Sequence, residues 1–432
     1  MMVTQLDSDL SKKVIGWRRD FHQHPETGFL EMRTASIVAS ILDELGFDLA
    51  MGKSVMASED CMGKPDDEAT KKHYHWAIEN GANKDYIENF SEGYTGIVAT
   101  LDTGVAGPTI AYRFDMDALD IHESELDSHF PKQEGFRSKL PHKMHACGHD
   151  AHTAIGLGLA TVLMSNKEAL KGTIKLIFQP AEEGTRGAKS MASAGVVDDV
   201  DYFIATHVGT GVPHQHFVAS NNGFLATSKL DITFKGKAAH AGAEPEEGNN
   251  ALLAAATAAL NMHAIARHSK GISRVNVGEL HAGAGRNIIA DQAFLKAETR
   301  GENSEVNQYV KAQLESIVAG AAQMYQLDYQ IDTVGEALSS QGSEELALIL
   351  KECAQASDLV KETILESNDP AGSEDATYFM ERVKQNGGLV TYCIVGTDLA
   401  AGHHNEKFDI NEETLLTAVD VLYRSVLKIS EL

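Results

Sequence analysis

Cysteine is scarce in this chain. Its 432 residues include only four, Cys61, Cys147, Cys353 and Cys393, spread too thinly to form a disulfide framework. That spacing fits a reducing compartment. Positive charge is also in deficit, with 37 Lys and Arg against 62 Asp and Glu and a formal net charge of −25. Nucleic acids and anionic membranes are polyanions that such a chain repels, so neither is an expected partner. No apolar run approaches the roughly 20 residues needed to span a bilayer. The opening stretch MMVTQLDSDLSKK has no apolar segment of the kind a secretory signal requires. A cytoplasmic location follows as the expectation. Internal repeats and low-complexity tracts are missing as well. What is present, 43% hydrophobic and 23% charged residues, is an ordinary globular balance. The length exceeds what one core usually supports, so two domains are expected.

Apolar residues recur at spacings of three and four in Leu10–Phe21 and Thr34–Leu45, which predicts two helices, with Gly46 as a stop. Strands Gly96–Leu101, Thr109–Phe114, Thr173–Phe178 and Asp201–Thr206 then alternate with helices Ala151–Leu163 and Arg186–Ala194. This alternation predicts an α/β sheet with helices on both faces. Ligands of such sheets sit at the carboxyl ends of strands, which directs attention to the loops after Phe114, Phe178 and Thr206. From about Ser228 the order changes to β-α-β-β-α-β: Lys229–Phe234, Asn250–Arg267, Arg274–Leu280, Ala293–Thr299, Glu305–Met324 and Asp328–Val334. That is a ferredoxin-like split unit. The α/β pattern resumes with strand Leu389–Val395 and helix Glu413–Leu427. The expected division is therefore residues 1–213 with 335–432 as one domain, and 214–334 inserted into it. Residues 51–94, polar and with a helix expected over Asp66–Asn80, read either as a substrate-side elaboration or as a solvated surface insertion.

Three segments carry the chemistry. In MHACGHDAH (Met144–His152), Cys147 and His149 can point at one ion from a tight turn that Gly148 permits. Taken alone this spacing is weak. Strand Thr173–Phe178 ends in Gln179-Pro180-Ala181-Glu182-Glu183-Gly184, and adjacent carboxylates there are expected to diverge, one to a metal and one to a substrate. Strand Asp201–Thr206 runs into His207. Three strand-end loops, each with a ligand type, predict a metal-dependent hydrolase.

MHACGHD, FQPAEEG, THVG and GHHNEKF (Gly402–Phe408), with RRDFHQHPETGFLE and RFDMDAL, resemble the hippurate hydrolase and indole-acetyl-amino-acid amidohydrolase branch of the di-metal aminoacylase/peptidase family. The resemblance covers essentially the whole chain. It implies a di-metal aminopeptidase-like catalytic domain with an inserted ferredoxin-like lid and dimerisation domain. It further implies two divalent ions, Mn2+ or Zn2+, with Cys147 bridging them and His149, Glu183, His207 and His404 completing the ligand set. Because His403 precedes His404, the two could exchange roles. Glu182 would be general base and acid, which requires a pKa raised toward neutrality. The family's usual H-x-D ligand motif reads Arg113-Phe114-Asp115 here, so that histidine is missing. Asp150 is expected either to accept a hydrogen bond from a ligand imidazole or to cap the following helix. In the lid, His240 of KAAHAGAEP would hold a developing oxyanion in another subunit. Asn287 of GRNIIAD and Arg300 of ETRG would clamp a substrate carboxylate, unless Arg300 is a sheet-edge ion-pair residue.

Within the branch, the 51–94 insertion and the strings PAEEGTRGA and AGSEDAT, the last followed by AGHHNEKFD, resemble members that cleave p-aminobenzoyl-glutamate, and the resemblance implies that amide as substrate and a paralogous B subunit as partner. The rival expectations are a broader hippurate-type or N-acetyl-amino-acid deacylase, and a partner subunit whose lid completes another chain's site. Either a lid-mediated homodimer or a heteromer would use the same surface. His22, His24, His73 and His129 recruit no metal partner by spacing. GLGLA (Gly156–Ala160) reads as helix packing and not as a phosphate loop.

Overall fold

The alternating pattern resolves into two compact units in the computed structural model, which describes residues 8–368 and 372–432. Residues 1–7 of the opening stretch and Ala371 of AGSEDAT lie outside the described residues. One unit comprises Met1–Gly223, Ser340–Ala371 and Asp375–Leu432, and the other Phe224–Ser339 with Gly372–Glu374.

The first unit begins with α1 (Ser8–Gln23), α2 (Met32–Leu45), β1 (Asp48–Met51), α3 (Asp67–Glu79), β2 (Ile97–Asp102), β3 (Thr109–Asp115) and α4 (Phe130–Gln133). It continues with α5 (His149–Ser165), β4 (Thr173–Gln179), α6 (Ala188–Ser193), β5 (Tyr202–Val208) and β6 (His216–Asn221). The second unit supplies β7 (Ala226–Lys235), α7 (Ala251–His263), β8 (Ser273–Ala282), β9 (Gln292–Gly301), α8 (Ser304–Tyr325) and β10 (Asp328–Ala337). The chain then returns to the first unit with α9 (Glu344–Gln355), β11 (Glu362–Ser367), α10 (Thr377–Gln385), β12 (Leu389–Val395) and α11 (Glu413–Ser430).

Eight strands of the first unit form one mixed sheet in the order β1-β2-β4-β3-β5-β12-β6-β11. Its centre is parallel: β3 pairs with both β4 and β5, and β5 with β12. The register sets Asp115 beside Gln179 and Ile394 beside His207, so the carboxyl ends of these strands lie in a row. β6 corrects the expected domain boundary at residue 213. This strand is buried along almost its whole length and pairs with β11 and β12, so it belongs to the large sheet. Its sequence HFVASN is neither a long apolar run nor an alternation, and its partners β11 and β12 come much later in the chain, which is why its sheet was not evident from sequence.

Helix α5 packs against that sheet through Gly156 and against α1 and α11 through Gly158. A Cβ on Gly156 would stand 2.7–2.8 Å from the Phe114 and Phe178 rings, and one on Gly158 2.8–2.9 Å from Val419 and Val14. GLGLA is thus a helix-packing surface. The 51–94 segment is docked on the first unit and not loosely solvated. Asp66 caps α3 by accepting from the Ala69 N–H at 2.8 Å, and Ala77, Ile87 and Phe90 join the main apolar core. His73 reaches the buried Glu26 at 2.8 Å.

The second unit has the order β7-α7-β8-β9-α8-β10 and an antiparallel sheet arranged β10-β7-β9-β8. Leu230, Ile232, Phe234, Leu295, Val310 and Leu314 form its core. On β9, buried Leu295, Ala297 and Thr299 alternate with more exposed Lys296, Glu298 and Arg300, the period expected of a sheet covered on one face. Among the described residues no helix is long and apolar enough to cross a membrane.

Candidate active site

The row of strand ends in the first unit carries the site. Cys147 precedes α5, and Gly148 (φ +94°) caps it; a Cβ at Gly148 would lie 2.8 Å from Val208, so the turn requires glycine. The loop after β4 presents Glu182 and Glu183 in an unusual backbone. Ala181 (φ +52°) and Thr185 (φ +62°) are left-handed on either side of them, a conformation that costs about 1–2 kcal/mol for each non-glycine residue. The strain is held by hydrogen bonds. Asp117 accepts from the Glu182 and Glu183 N–H groups, one on each oxygen, both at 2.9 Å. Glu31 accepts from the Ala181 N–H at 2.8 Å, and Asp375 from the Gly187 and Ala188 N–H groups at 3.0 and 2.9 Å.

Cys147, His149 and His207 bring a sulfur and two ring nitrogens within 4.8 Å of one another, and Cys147, Glu183 and His404 form a second triplet with the same limit. The five ligand candidates therefore divide into two overlapping sets that share the sulfur. Contrary to the expected divergence, the Glu182 and Glu183 carboxylates both converge on His149, with one ligand atom of each within the same 4.8 Å.

Hydrogen bonds set the ring tautomers. His149 Nδ1 donates to the Asp117 carbonyl at 2.9 Å, leaving Nε2 buried with no hydrogen-bond partner. His207 Nδ1 donates to the Val208 carbonyl at 2.8 Å, so its Nε2 lone pair faces Cys147 at 3.6 Å. His403 differs. Its Nε2 accepts from the Thr210 N–H at 3.0 Å and its Nδ1 lies 3.7 Å from Cys147 Sγ. His404, half exposed, reaches Glu183 Oε1 at 3.4 Å. Asp115 sits beneath, with Arg113 Nη1 donating to one oxygen at 2.6 Å and His152 Nδ1 to the other at 2.5 Å. His152 Nε2 in turn accepts from the Val208 N–H at 3.0 Å. The cluster Asp115, His149 and His152 thus has its His152 lone pair already committed.

Electrostatics favour a bound cation. Burial, with Glu183 nearby, pushes the Cys147 thiol up to about 12, so without a cation it stays protonated. Burial, with His152 and His403 adding to it, holds His207 well below its ordinary value, neutral and ready to donate its lone pair. Burial opposes charge on His149, but the Asp115 charge and the hydrogen bond to Asp117 outweigh it and raise the ring well above its ordinary value. The same negative charge that attracts a proton there attracts a metal ion.

Asp150 takes neither expected role. It is buried in the first turn of α5 and accepts from Arg18 Nε at 3.0 Å and from His22 Nδ1 at 2.8 Å, while the cap is Gly148. The hydrogen bond to a ligand imidazole comes from Asp117 instead. In the second unit, the loops of His240 and Asn287 are joined: the Ala241 N–H donates to the Asn287 carbonyl at 3.0 Å, and His240 bridges Ile288. His240 Nδ1 accepts from the Gly242 and Ala243 N–H groups at 3.2 and 3.1 Å, which places the ring proton on exposed Nε2. Arg300 lies on the interior strand β9 and not at an edge, and it pairs with Glu298 at 3.1 Å.

Comparison with known proteins decides the family. Residues 111–428 match the model for Peptidase family M20/M25/M40. The chain belongs to that family. It is 51% identical to the A subunit of p-aminobenzoyl-glutamate hydrolase from Escherichia coli (strain K12), over 98% of each chain. It is 52% identical to indole-3-acetyl-aspartic acid hydrolase of Enterobacter agglomerans, over 94% of this chain and 93% of that one. A crystal structure of the aminobenzoyl-glutamate utilization protein from Klebsiella pneumoniae superposes with a TM-score of 0.86 at 47% identity, covering 98% of each chain. This M20-family chain is a metal-dependent amidohydrolase with a mixed α/β fold. Its residues fit a metal on their own chemistry: a soft sulfur, two imidazole lone pairs and a carboxylate converge, with His149 Nε2 and Glu183 Oε1 buried and lacking hydrogen bonds.

Sequence reasoning missed Asp117, Glu31 and Asp375, which hold the glutamate loop. The available signal was the alternation Asp115-Met116-Asp117 at the end of β3. Two acids on one side of a strand end, beside a second acidic loop, need donors, and the donors are that loop's own N–H groups.

Proposed function

We propose that this enzyme cleaves the amide bond of N-acyl amino acids, with p-aminobenzoyl-glutamate as the foremost substrate, releasing p-aminobenzoate and glutamate. The observation that carries the reading is the pair of donor triplets sharing Cys147 with Glu182 beside them. His149 and His207 would hold one divalent ion, Glu183 and His404 the other, and Cys147 would bridge them. His404 is preferred to His403 because it stands with Cys147 and Glu183 in one donor triplet, whereas His403 Nε2 accepts from the Thr210 N–H. A thiolate suits Zn2+, and the carboxylate and imidazoles also accept Mn2+. Such ions supply an acidified water and a polarised amide carbonyl.

The chain's own groups do the rest. Glu182 takes the proton from the attacking water and returns it to the leaving nitrogen. Asp117 holds Glu182 and Glu183 by their backbone and orients the His149 ring. The second unit is read as a ferredoxin-like lid and dimerisation domain. His240 would offer Nε2–H to the developing oxyanion in another subunit's site, and Asn287 and Arg300 would take a substrate carboxylate. The lid would pair either with a second copy or with a paralogous B subunit. The four free cysteines support a cytoplasmic location.

A second reading has its own support, since the identity to the indole-3-acetyl-aspartic acid hydrolase is 52%. Both named substrates join an aromatic acid to a dicarboxylic amino acid. Steady-state kinetics on p-aminobenzoyl-glutamate, indole-3-acetyl-aspartate, hippurate and acetyl-amino acids separates the readings. The highest kcat/KM is expected for the first, and a preference for hippurate or acetyl substrates would overturn it. Glu182→Ala should lower kcat at least ~100-fold, the range of a lost general base, with metal content unchanged. Retained activity would place the chemistry elsewhere.

A further inference from the structure

We infer that Arg186 is a positioning residue that sets the Glu182–Glu183 loop for catalysis, with the 51–94 segment serving as its anchor. The inference rests on the amide-hydrolase reading of that loop, but it concerns a side chain outside the proposed ligand set. Arg186 Nε donates to the Glu183 carbonyl at 2.9 Å, and Nη1 donates to the Gly63 carbonyl at 3.2 Å. The guanidinium lies over the Phe29 ring, 5.6 Å from its centroid. The remaining terminal nitrogen occupies space that exists only because residue 28 is glycine, since a Cβ there would collide with Nη2.

The carbonyl that Arg186 holds belongs to the peptide joining Glu183 to Gly184, whose φ is +88°. Glycine leaves that peptide free to rotate, and its rotation would swing the Glu183 carboxylate. Asp117 already fixes the N–H side of Glu183. Arg186 fixes the other side, so both ends of the residue are pinned by charged partners. The guanidinium can do this only if its own position is fixed, and the Gly63 carbonyl and Phe29 ring supply that. The inserted segment, whose sequence names no chemistry, thereby acquires a use: it braces the loop through the Gly63 carbonyl. Lysine cannot reproduce the arrangement, because a single ammonium lacks the planar fork that spans two carbonyls.

Arg186→Ala and Arg186→Lys, purified and loaded with Mn2+ or Zn2+, test the assignment. Arg186→Ala should lose about 10–100-fold in kcat on p-aminobenzoyl-glutamate, the usual cost of removing a group that orients metal ligands. KM should stay within about 3-fold, and the metal dissociation constant, read by chelator competition, should rise by about 10-fold or more. Arg186→Lys should recover little. Gly63→Val, placed on left-handed backbone (φ +64°), should reproduce part of the loss and add nothing in the Arg186→Ala background. Wild-type kcat and metal affinity in Arg186→Ala would overturn the inference. So would a raised KM at unchanged kcat, which would mark a substrate-carboxylate hold, or full rescue by lysine. A loss that follows only the fraction folded, with normal activity per folded molecule, would also overturn it. Should the wild-type enzyme cleave none of the amides, the functional reading falls, while metal affinity still decides the role of Arg186.

Discussion

At the scale of single residues, the polar interior beneath the site is built on acids paired with buried cations, imidazoles and backbone N–H groups. Asp117 holds two backbone N–H groups and faces His149, and Glu31 behind it is raised to about 8 by burial and by the Asp117 charge. Farther from the metal ligands, His22 is wholly buried between Asp150 at 2.8 Å and Glu123 at 3.0 Å. Arg18 shares Asp150, His129 shares Glu123 at 2.8 Å, and the His145 ring stands 6.4 Å away. Burial pulls the His22 pKa down, but the hydrogen bonds to Asp150 and Glu123 outweigh it and raise the ring to about 9. A folded-state pKa above the unfolded value gives a contribution that is complete below about pH 6.5 and fades as pH rises through about 9. His22→Gln is therefore expected to cost a few kcal/mol near neutrality, with the gap to wild type closing by about pH 9.5. Urea denaturation from pH 6 to 9.5 checks this, and a gap that stays constant would remove His22 as the titrating group.

At the scale of elements, α5 shows how packing overrides propensity. Replacing a helical glycine by alanine ordinarily gains up to about 1 kcal/mol. At Gly156 the added methyl would meet two buried phenylalanine rings at 2.7–2.8 Å, too close for any Cβ to occupy without movement. Overpacking of a tight core costs about 1–3 kcal/mol, so it should exceed the propensity gain. Gly156→Ala is expected to lower the denaturation midpoint, and a stabilised variant would show that the helix can shift off the sheet. Glu26 is another element-scale device. Its two oxygens accept the Arg33 and Thr34 N–H groups at 2.9 and 2.7 Å, capping α2 from outside its own N-cap position.

At the scale of the whole molecule, the charge of −25 acts against the proposed substrate. An acyl-glutamate carries two carboxylates and approaches through a repelling field. Raising ionic strength from about 10 to 150 mM shortens the screening length from about 30 to 8 Å. The kcat/KM for p-aminobenzoyl-glutamate should therefore rise with salt, while that for an uncharged amide analogue stays level. Falling kcat/KM over this range would mean that the local cationic groups, Arg300 foremost, dominate the approach.

The sequence by itself determined the parts that repeat along the chain or lie close together in it. Period-two and period-three-to-four patterns are local consequences of strand and helix geometry, so α5, β3, β4, β5 and the β-α-β-β-α-β order of the second unit were legible. The positions of Cys147, His149, Glu182, Glu183 and His207 were legible too, because each sits at the end of an apolar strand or the start of an apolar helix. The tertiary structure alone decided what depends on pairing between distant segments. It assigned β6 to the large sheet, since a strand buried on both faces carries no mark of its partner. It engaged His403 with Thr210 and Cys147 and left His404 facing Glu183, because adjacent residues point apart only once the backbone takes its left-handed turn at His404 (φ +62°). It gave Asp150 to Arg18 and His22 and to neither a ligand imidazole nor the helix cap, and it gave the glutamate loop to Asp117, Glu31 and Asp375. Those bonds run between an N–H or a guanidinium and an acceptor from separate parts of the chain, and spacing along a sequence records neither which donors lack partners nor which acceptors the fold brings to them.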